Sequence, residues 1–364
     1  MDTVPSQMAA VLLTGHGGYE CLEYRTDVPT PTPGAGQVLI QVGGAGVNNT
    51  DINTRIGWYS KSVTDGTDAG GGAGFDGLDE SDGSWSGEPL RFPRIQGADC
   101  AGRIVAVGAG VADDRVGERV LVRSVQPLRD SADPMACRTM GSEYDGAFAQ
   151  FLVTDGVDAL PVRTDLDDVA LAAIPCAYST AEGMLHRASV GAERVLITGA
   201  SGGVGSAAVQ LAKRRGAEVI AMAGATKRAA VAALGADQVI DRAANLRHAI
   251  DGTVDVVLDV VAGPVFTGLL DVLRVGGRYA TSGAIAGPLV ELDVRTLYLK
   301  DLSFFGSTYQ PDEVFENLVS YVEAGEIRPV VAATYPLADV VVAQQDFLAK
   351  SHVGKLVLIP PPLG

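Results

Sequence analysis

The 364-residue chain reads as an α/β protein of two parts, a β-rich part and a doubly wound parallel sheet. Three observations predict it. The first third consists of short apolar runs cut at close intervals by Gly and Pro, the punctuation that barrels and sandwiches need. From about residue 190 strands and helices alternate, the grammar of a parallel sheet covered on both faces. The length suggests about two domains at ~150 residues each.

In chain order, Val38–Val42, Gly102–Val107 and Arg119–Val122 are the strand candidates of the first part. Residues 61–90 interrupt them with eight glycines, seven acidic residues and one basic residue, Lys61, a net charge of −6. Such a stretch lacks the apolar residues of a core and is expected to be a flexible surface insertion. Within it, Gly71–Asp79 fits a calcium-binding nonapeptide template, but a single copy has no neighbouring turn to supply further ligands. The second part opens with a buried strand at Arg194–Thr198, a helix over Gly203–Arg215 and a strand at Glu218–Met222. A helix over Thr226–Leu234 and strands at Gln238–Ile240 and Val254–Asp259 follow, then a helix ending near Arg274 and a strand at Arg278–Thr281. After about residue 305 the chain is too short for another such unit, and it ends in the strand Lys355–Ile359.

Composition narrows the function. With 28 Lys+Arg against 44 Asp+Glu the net charge is −16, which opposes binding to a phosphate backbone. A 47% hydrophobic content is ample for buried cores. Four scattered cysteines, Cys21, Cys100, Cys137 and Cys176, form no CxxC pair, so no disulfide framework or clustered zinc site is expected. Met1–Pro5 lacks the features of a secretory leader, and no apolar run reaches the ~20 residues of a membrane span. A cytoplasmic protein is expected, with neither nucleic acid nor membrane as partner. Gly makes up 45 of the 364 residues, roughly 12% against a usual ~7%, and that surplus needs a cause.

One cause is the junction Gly199-Ala200-Ser201-Gly202-Gly203-Val204-Gly205, set between a buried strand and a helix. Its glycines let the backbone turn sharply and approach a pyrophosphate, and the helix offers free N–H groups to the anion. Ser201, Gly202, Gly203 and Val204 are therefore candidate cofactor contacts. The second strand ends Ala221-Met222-Ala223-Gly224-Ala225 with no acid to bind a ribose hydroxyl, and Lys227 and Arg228 follow. Cations there suit a 2′-phosphate, which favours NADP(H) over NAD(H).

The segments Gly46–Asp51, Pro93–Val107, Gly117–Val120, Ile174–Ala177, Thr180-Ala181, Leu234–Asp237 and Gly354–Leu358 join this turn in a resemblance covering most of the chain. The sequence resembles the medium-chain dehydrogenase/reductase superfamily, in particular its zinc-free quinone oxidoreductase-like branch. The resemblance implies a GroES-like β-barrel catalytic domain from residues 1–158 and 305–364, and a Rossmann NADP-binding domain at 159–304. It also implies a homodimer, and cofactor contacts at Thr180, Gly224, Val261, Ser282, Gly283 and Lys355. Zinc-dependent relatives place Cys, His and Cys where this chain has Asn48, Ala98 and Cys176, with Asp99 replacing a Glu. No metal is expected with such a set. Cys176 reads either as a small hydrophobe beside the nicotinamide or as a reactive thiol. His16, His186 and His248 have no metal-spaced partner, while His352 falls near the cofactor by resemblance.

Without zinc, hydrogen-bond donors must stabilise an acceptor oxygen, and Asn48, Thr50 and Tyr59 are the candidates. Asn53 departs from the Tyr that quinone oxidoreductase relatives often carry. The expected reaction is NADPH-dependent reduction of a small electrophile, a quinone or an activated C=C. A zinc-free alcohol dehydrogenase and a catalytically silent NADPH-binding protein are the alternatives. An anionic flap at 61–90 would disfavour anionic substrates such as acyl-CoA.

Overall fold

The computed structural model describes residues 4–363, so Met1–Thr3, part of the leader reading, lie outside the described residues. Six parallel strands form the doubly wound sheet. We number them in chain order as β1 (Arg194–Ile197), β2 (Glu218–Ala223), β3 (Gln238–Asp241), β4 (Val254–Asp259), β5 (Leu273–Thr281) and β6 (Ser303–Gly306). Their order across the sheet is β3-β2-β1-β4-β5-β6. The chain therefore reverses its direction of travel between β1 and β4, and a crevice opens there at the carboxyl ends of the strands. β6 was not evident as a strand; its register with Arg278–Thr281 completes the sheet. The helix before β5 is Phe266–Val272, and the chain passes directly into β5 at Leu273.

The β-rich part is a set of mostly antiparallel strands centred on Gln37–Gly46, which pairs with Ala101–Val107 on one side and with Phe151–Asp155 and Lys355–Ile359 elsewhere. The last pairing matters for function. Val357 lies opposite Gly46, so the chain's final strand delivers Lys355 beside Val47 and Asn48. One apolar core fills this barrel and another lies under the parallel sheet. The helix Pro175–Arg187 belongs to the second core, and its start, with Pro at the first turn, reaches back to the barrel.

The acidic insertion is not a free loop. Val63, Thr67, Gly70, Gly71, Ser84 and Leu90 are buried. The guanidinium of Arg55, wholly buried, holds it in place. Arg55 donates to Gly71 O at 2.5 Å, to Gly17 O at 2.8 Å and to the Gln344 side chain at 2.9 Å. Low apolar content misled because a buried cation, rather than a local apolar cluster, fastens the segment. In the nonapeptide, Gly71 O is taken by Arg55 and Asp79 caps Ser81 N at 3.0 Å.

Candidate active site

The phosphate turn takes its shape from close packing. A Cβ on Gly205 would overlap the carbonyl oxygen of Gly199, so the helix Gly203–Arg214 can start this near β1 only with glycine there. Gly199 itself sits at φ +57°. Ser201, Gly202, Gly203 and Val204 follow β1; Gly224 and Lys227 follow β2; Val261 follows β4; Ser282 and Gly283 follow β5. The structure thus brings these predicted cofactor residues to the ends of neighbouring strands, around the crevice. Asp259, buried at the end of β4, accepts from Thr198 Oγ1 at 2.5 Å, Tyr279 Oη at 2.6 Å and Val261 N at 2.9 Å. It fixes the loop that carries Val261.

At the rim of β2 the predicted pair divides. Arg228 turns away and donates to Val239 O at 2.7 Å, whereas the Lys227 ammonium bonds to Lys350 O. Lys350 and His352 join Lys227 here. Burial and the Lys227 charge push Lys350 down to about 8, although Asp68 opposes this. Burial and the surrounding lysines push His352 down to about 4, and its buried Nδ1 has no partner. Lys227 is lowered by burial and by Arg242. Burial is the leading cause in all three, with neighbouring positive charge adding to it. Lys350 was missed because it lies 123 positions from Lys227, and only the fold joins them.

On the barrel wall, Asn48 caps the helix Asn49–Ile56, and its N–H donates to Asp51 Oδ2 at 2.8 Å. Burial pushes the Asp51 carboxyl up to about 7, against the pull of that bond and of the Lys355 charge. The Lys355 ammonium is buried and donates to Val47 O at 2.9 Å, to Asp99 Oδ2 at 2.8 Å and to Asn48 Oδ1. Asn48 Nδ2 donates to the same Asp99 oxygen at 2.7 Å, and Cys176 N donates to Asp99 Oδ1 at 2.6 Å. The Lys355 stem crosses Gly203, so the residue links the phosphate turn to the barrel. Burial, with Asp99 beside it, raises the Cys176 thiol and holds it neutral, which favours its reading as a packed group.

A metal does not suit this cluster. Its carboxylate is already bonded to an ammonium, and its amide oxygen accepts from that same ammonium. Among the described residues no group of three or more His, Cys, Asp or Glu could hold an ion.

The structure brings the candidates Thr50 and Tyr59 together. The Tyr59 hydroxyl donates to Thr50 Oγ1 at 3.0 Å. The insertion adds a residue that sequence reasoning missed. Trp85 Nε1 donates to Thr50 Oγ1 at 2.8 Å, and its ring meets that of Tyr59 edge-on with centroids 5.6 Å apart. A large aromatic in a stretch of Gly, Asp and Ser was the available signal. Thr67, also from the insertion, donates to Asn53 Oδ1 at 2.9 Å, and its N–H reaches Ile285 O at 3.1 Å beyond β5. The insertion therefore touches both walls of the crevice.

Comparison with known proteins agrees with this geometry. Residues 34–164 match the alcohol dehydrogenase GroES-like domain and residues 203–324 the zinc-binding dehydrogenase family. A quinone oxidoreductase of Lama guanicoe is 30% identical, with 99% of each chain covered. The chain belongs to the medium-chain dehydrogenase/reductase superfamily, in its quinone oxidoreductase-like branch. Another member of this superfamily, the acryloyl-coenzyme A reductase of Metallosphaera sedula, is 29% identical, covering 96% of this chain and 99% of the relative. The crystal structure of a proposed alcohol dehydrogenase from Sinorhizobium meliloti 1021 is 46% identical, covers 99% of each chain and superposes with a TM-score of 0.89. As a medium-chain dehydrogenase/reductase, the chain is an oxidoreductase with a nicotinamide dinucleotide site. No helix among the described residues is long and apolar enough to cross a membrane.

Proposed function

We propose that this chain is an NADPH-dependent oxidoreductase that reduces a quinone or an activated C=C, an enone or enoyl thioester, without zinc. The observation that carries the proposal is the buried Lys355 ammonium bonded to Asn48 and Asp99, in the cluster where relatives of this superfamily would hold a metal. When bound, the reduced nicotinamide would supply the hydride. The chain's residues bind and orient. The turn Ser201–Val204 offers N–H groups to the pyrophosphate, with Thr180, Val261, Ser282 and Gly283 around the rest of the crevice. Lys227, Lys350 and His352 would hold the 2′-phosphate, while Arg228 stays turned to Val239 O. Thr50, backed by Tyr59, faces the acceptor oxygen as a hydrogen-bond donor. The exposed carboxylates Asp65 and Asp76 on the insertion favour a neutral electrophile over acyl-CoA.

NADPH oxidation is followed with para-benzoquinone, methyl vinyl ketone, acryloyl-CoA and benzaldehyde. Turnover of the quinone, the enone or the thioester supports the reading. Turnover of benzaldehyde alone favours the alcohol dehydrogenase alternative, to which the Sinorhizobium relative's description lends weight. Tight NADPH binding with no turnover favours the silent alternative.

We further propose a cytoplasmic homodimer. Four free cysteines suit a reducing compartment. β6 lies at the edge of its sheet, beside a stretch with exposed Leu289, Val294, Tyr298 and Leu299. An unpaired edge near exposed apolar groups favours a second copy. Light scattering that returns a monomer mass rejects the dimer.

A further inference from the structure

Thr50 carries a hydroxyl with one hydrogen and two lone pairs. Two donors converge on its oxygen, the Tyr59 hydroxyl at 3.0 Å and the Trp85 indole N–H at 2.8 Å. An indole nitrogen can only donate, so the direction of the second bond is unambiguous. With both lone pairs engaged, the Thr50 hydrogen has to leave in the remaining direction. Thr50 lies just after Asn48, whose amide oxygen accepts from the Lys355 ammonium, and the Lys355 stem crosses Gly203 in the phosphate turn. Thr50 thus stands on the barrel wall opposite the phosphate turn.

From this geometry we infer that Trp85, in the acidic insertion, is a positioning residue: its indole N–H orients the Thr50 hydroxyl so that the hydroxyl donates to the oxygen of the electrophile. The inference rests on the proposed reduction above and adds to it a residue outside the shared segments of the resemblance. It also gives the insertion a task. The segment from Lys61 to Leu90 brings Trp85 back to the helix Asn49–Ile56 that bears Thr50. Arg55 on that same helix clamps the insertion at Gly71. Helix and insertion are therefore fastened at three points, Arg55 to Gly71, Asn53 to Thr67 and Thr50 to Trp85. Half-buried Trp85 also sets its ring edge-on against that of Tyr59.

The test is a double-mutant cycle on the full chain with NADPH and whichever of the four electrophiles the wild type reduces. Trp85→Phe keeps an aromatic ring beside Tyr59 and removes the N–H together with the pyrrole half of the indole. It is expected to lower kcat about three- to tenfold, the worth of one oriented hydrogen bond, with the KM for NADPH unchanged. Thr50→Val is expected to lower kcat by about a hundredfold, as for loss of an oxyanion donor. In the Thr50→Val background, Trp85→Phe should cost nothing further. In the Thr50→Ser background, which restores a hydroxyl, its cost should return. A thermal melt of each variant separates misfolding from this pattern. A Trp85→Phe loss that persists undiminished in Thr50→Val, or that falls on KM for NADPH instead of kcat, overturns the role while leaving the reaction standing. A wild type that reduces none of the four overturns the reaction and this role with it.

Discussion

The phosphate turn at Gly199–Gly205 and the insertion at 61–90 are both rich in glycine, yet they are held in opposite ways. In the turn, glycine is required by what lies next to it, because a Cβ on Gly205 would overlap the Gly199 carbonyl. In the insertion the glycines are mixed: a Cβ on Gly72 or Gly77 would meet nothing within 4 Å, whereas one on Gly66 would overlap the Ile285 carbonyl. That segment is anchored by side chains from elsewhere, Arg55 at Gly71, Asn53 at Thr67 and Thr50 at Trp85. The turn is local geometry that builds a binding site by itself. The insertion is a remote strap whose order depends on a handful of contacts.

Removing those contacts should break the comparison most sharply. Arg55→Met leaves two buried acceptors, Gly71 O and the Gln344 amide oxygen, and the half-buried Gly17 O without their donor. A loss of about 3 kcal/mol or more is expected, since each unsatisfied acceptor costs roughly 1–3 kcal/mol. Denaturant unfolding measures it, and hydrogen exchange should rise in 61–90 while Gly199–Gly205 stays protected. The reciprocal change is Gly205→Ala. The helix must move from β1, at about 1–3 kcal/mol, and NADPH affinity should fall while exchange in the insertion is unaltered.

Lys227→Ala sharpens the account of the turn. Loss of a charge-assisted bond to phosphate is worth about 1.5–3 kcal/mol, so the KM for NADPH should rise roughly tenfold to a hundredfold. The KM for NADH should barely change, which initial-rate kinetics with both cofactors will report.

The smallest effect concerns Asp51. Its carboxyl is pushed up to about 7 in the folded chain, above its ordinary 3.8. The folded state therefore binds this proton more tightly than the unfolded state. That contribution to stability is complete below the ordinary value and is lost as pH rises toward about 7. Asp51→Asn keeps an acceptor for Asn48 N and removes the titration. Melting temperatures of the two proteins should converge at low pH, and the variant should gain relative to wild type between pH ~5 and ~7.

What the sequence disclosed follows the same division. The succession of strands and the turn depend on neighbours a few residues apart, and both were legible. Asn48 was a candidate by residue type and place in the chain, but its bond to Lys355 spans 307 positions and no local pattern announces it. Trp85, Lys350 and the clamp at Arg55 were hidden for the same reason. β6 was hidden because four residues, Ser303–Gly306, carry too little periodicity to stand out between loops. Where a site is built from one strand and the helix after it, residue types and spacing suffice. Where it is closed by an insertion and a returning strand, the fold has to be seen.

In the proposed NADPH-dependent reductase, a lysine–carboxylate–amide cluster would occupy the place of a metal. The most direct test measures NADPH oxidation with the best electrophile before and after exhaustive chelation, alongside the metal content of the purified protein. The account predicts no stoichiometric zinc and a rate unchanged by chelation. One zinc per chain, with activity lost on its removal and regained on its return, would contradict it.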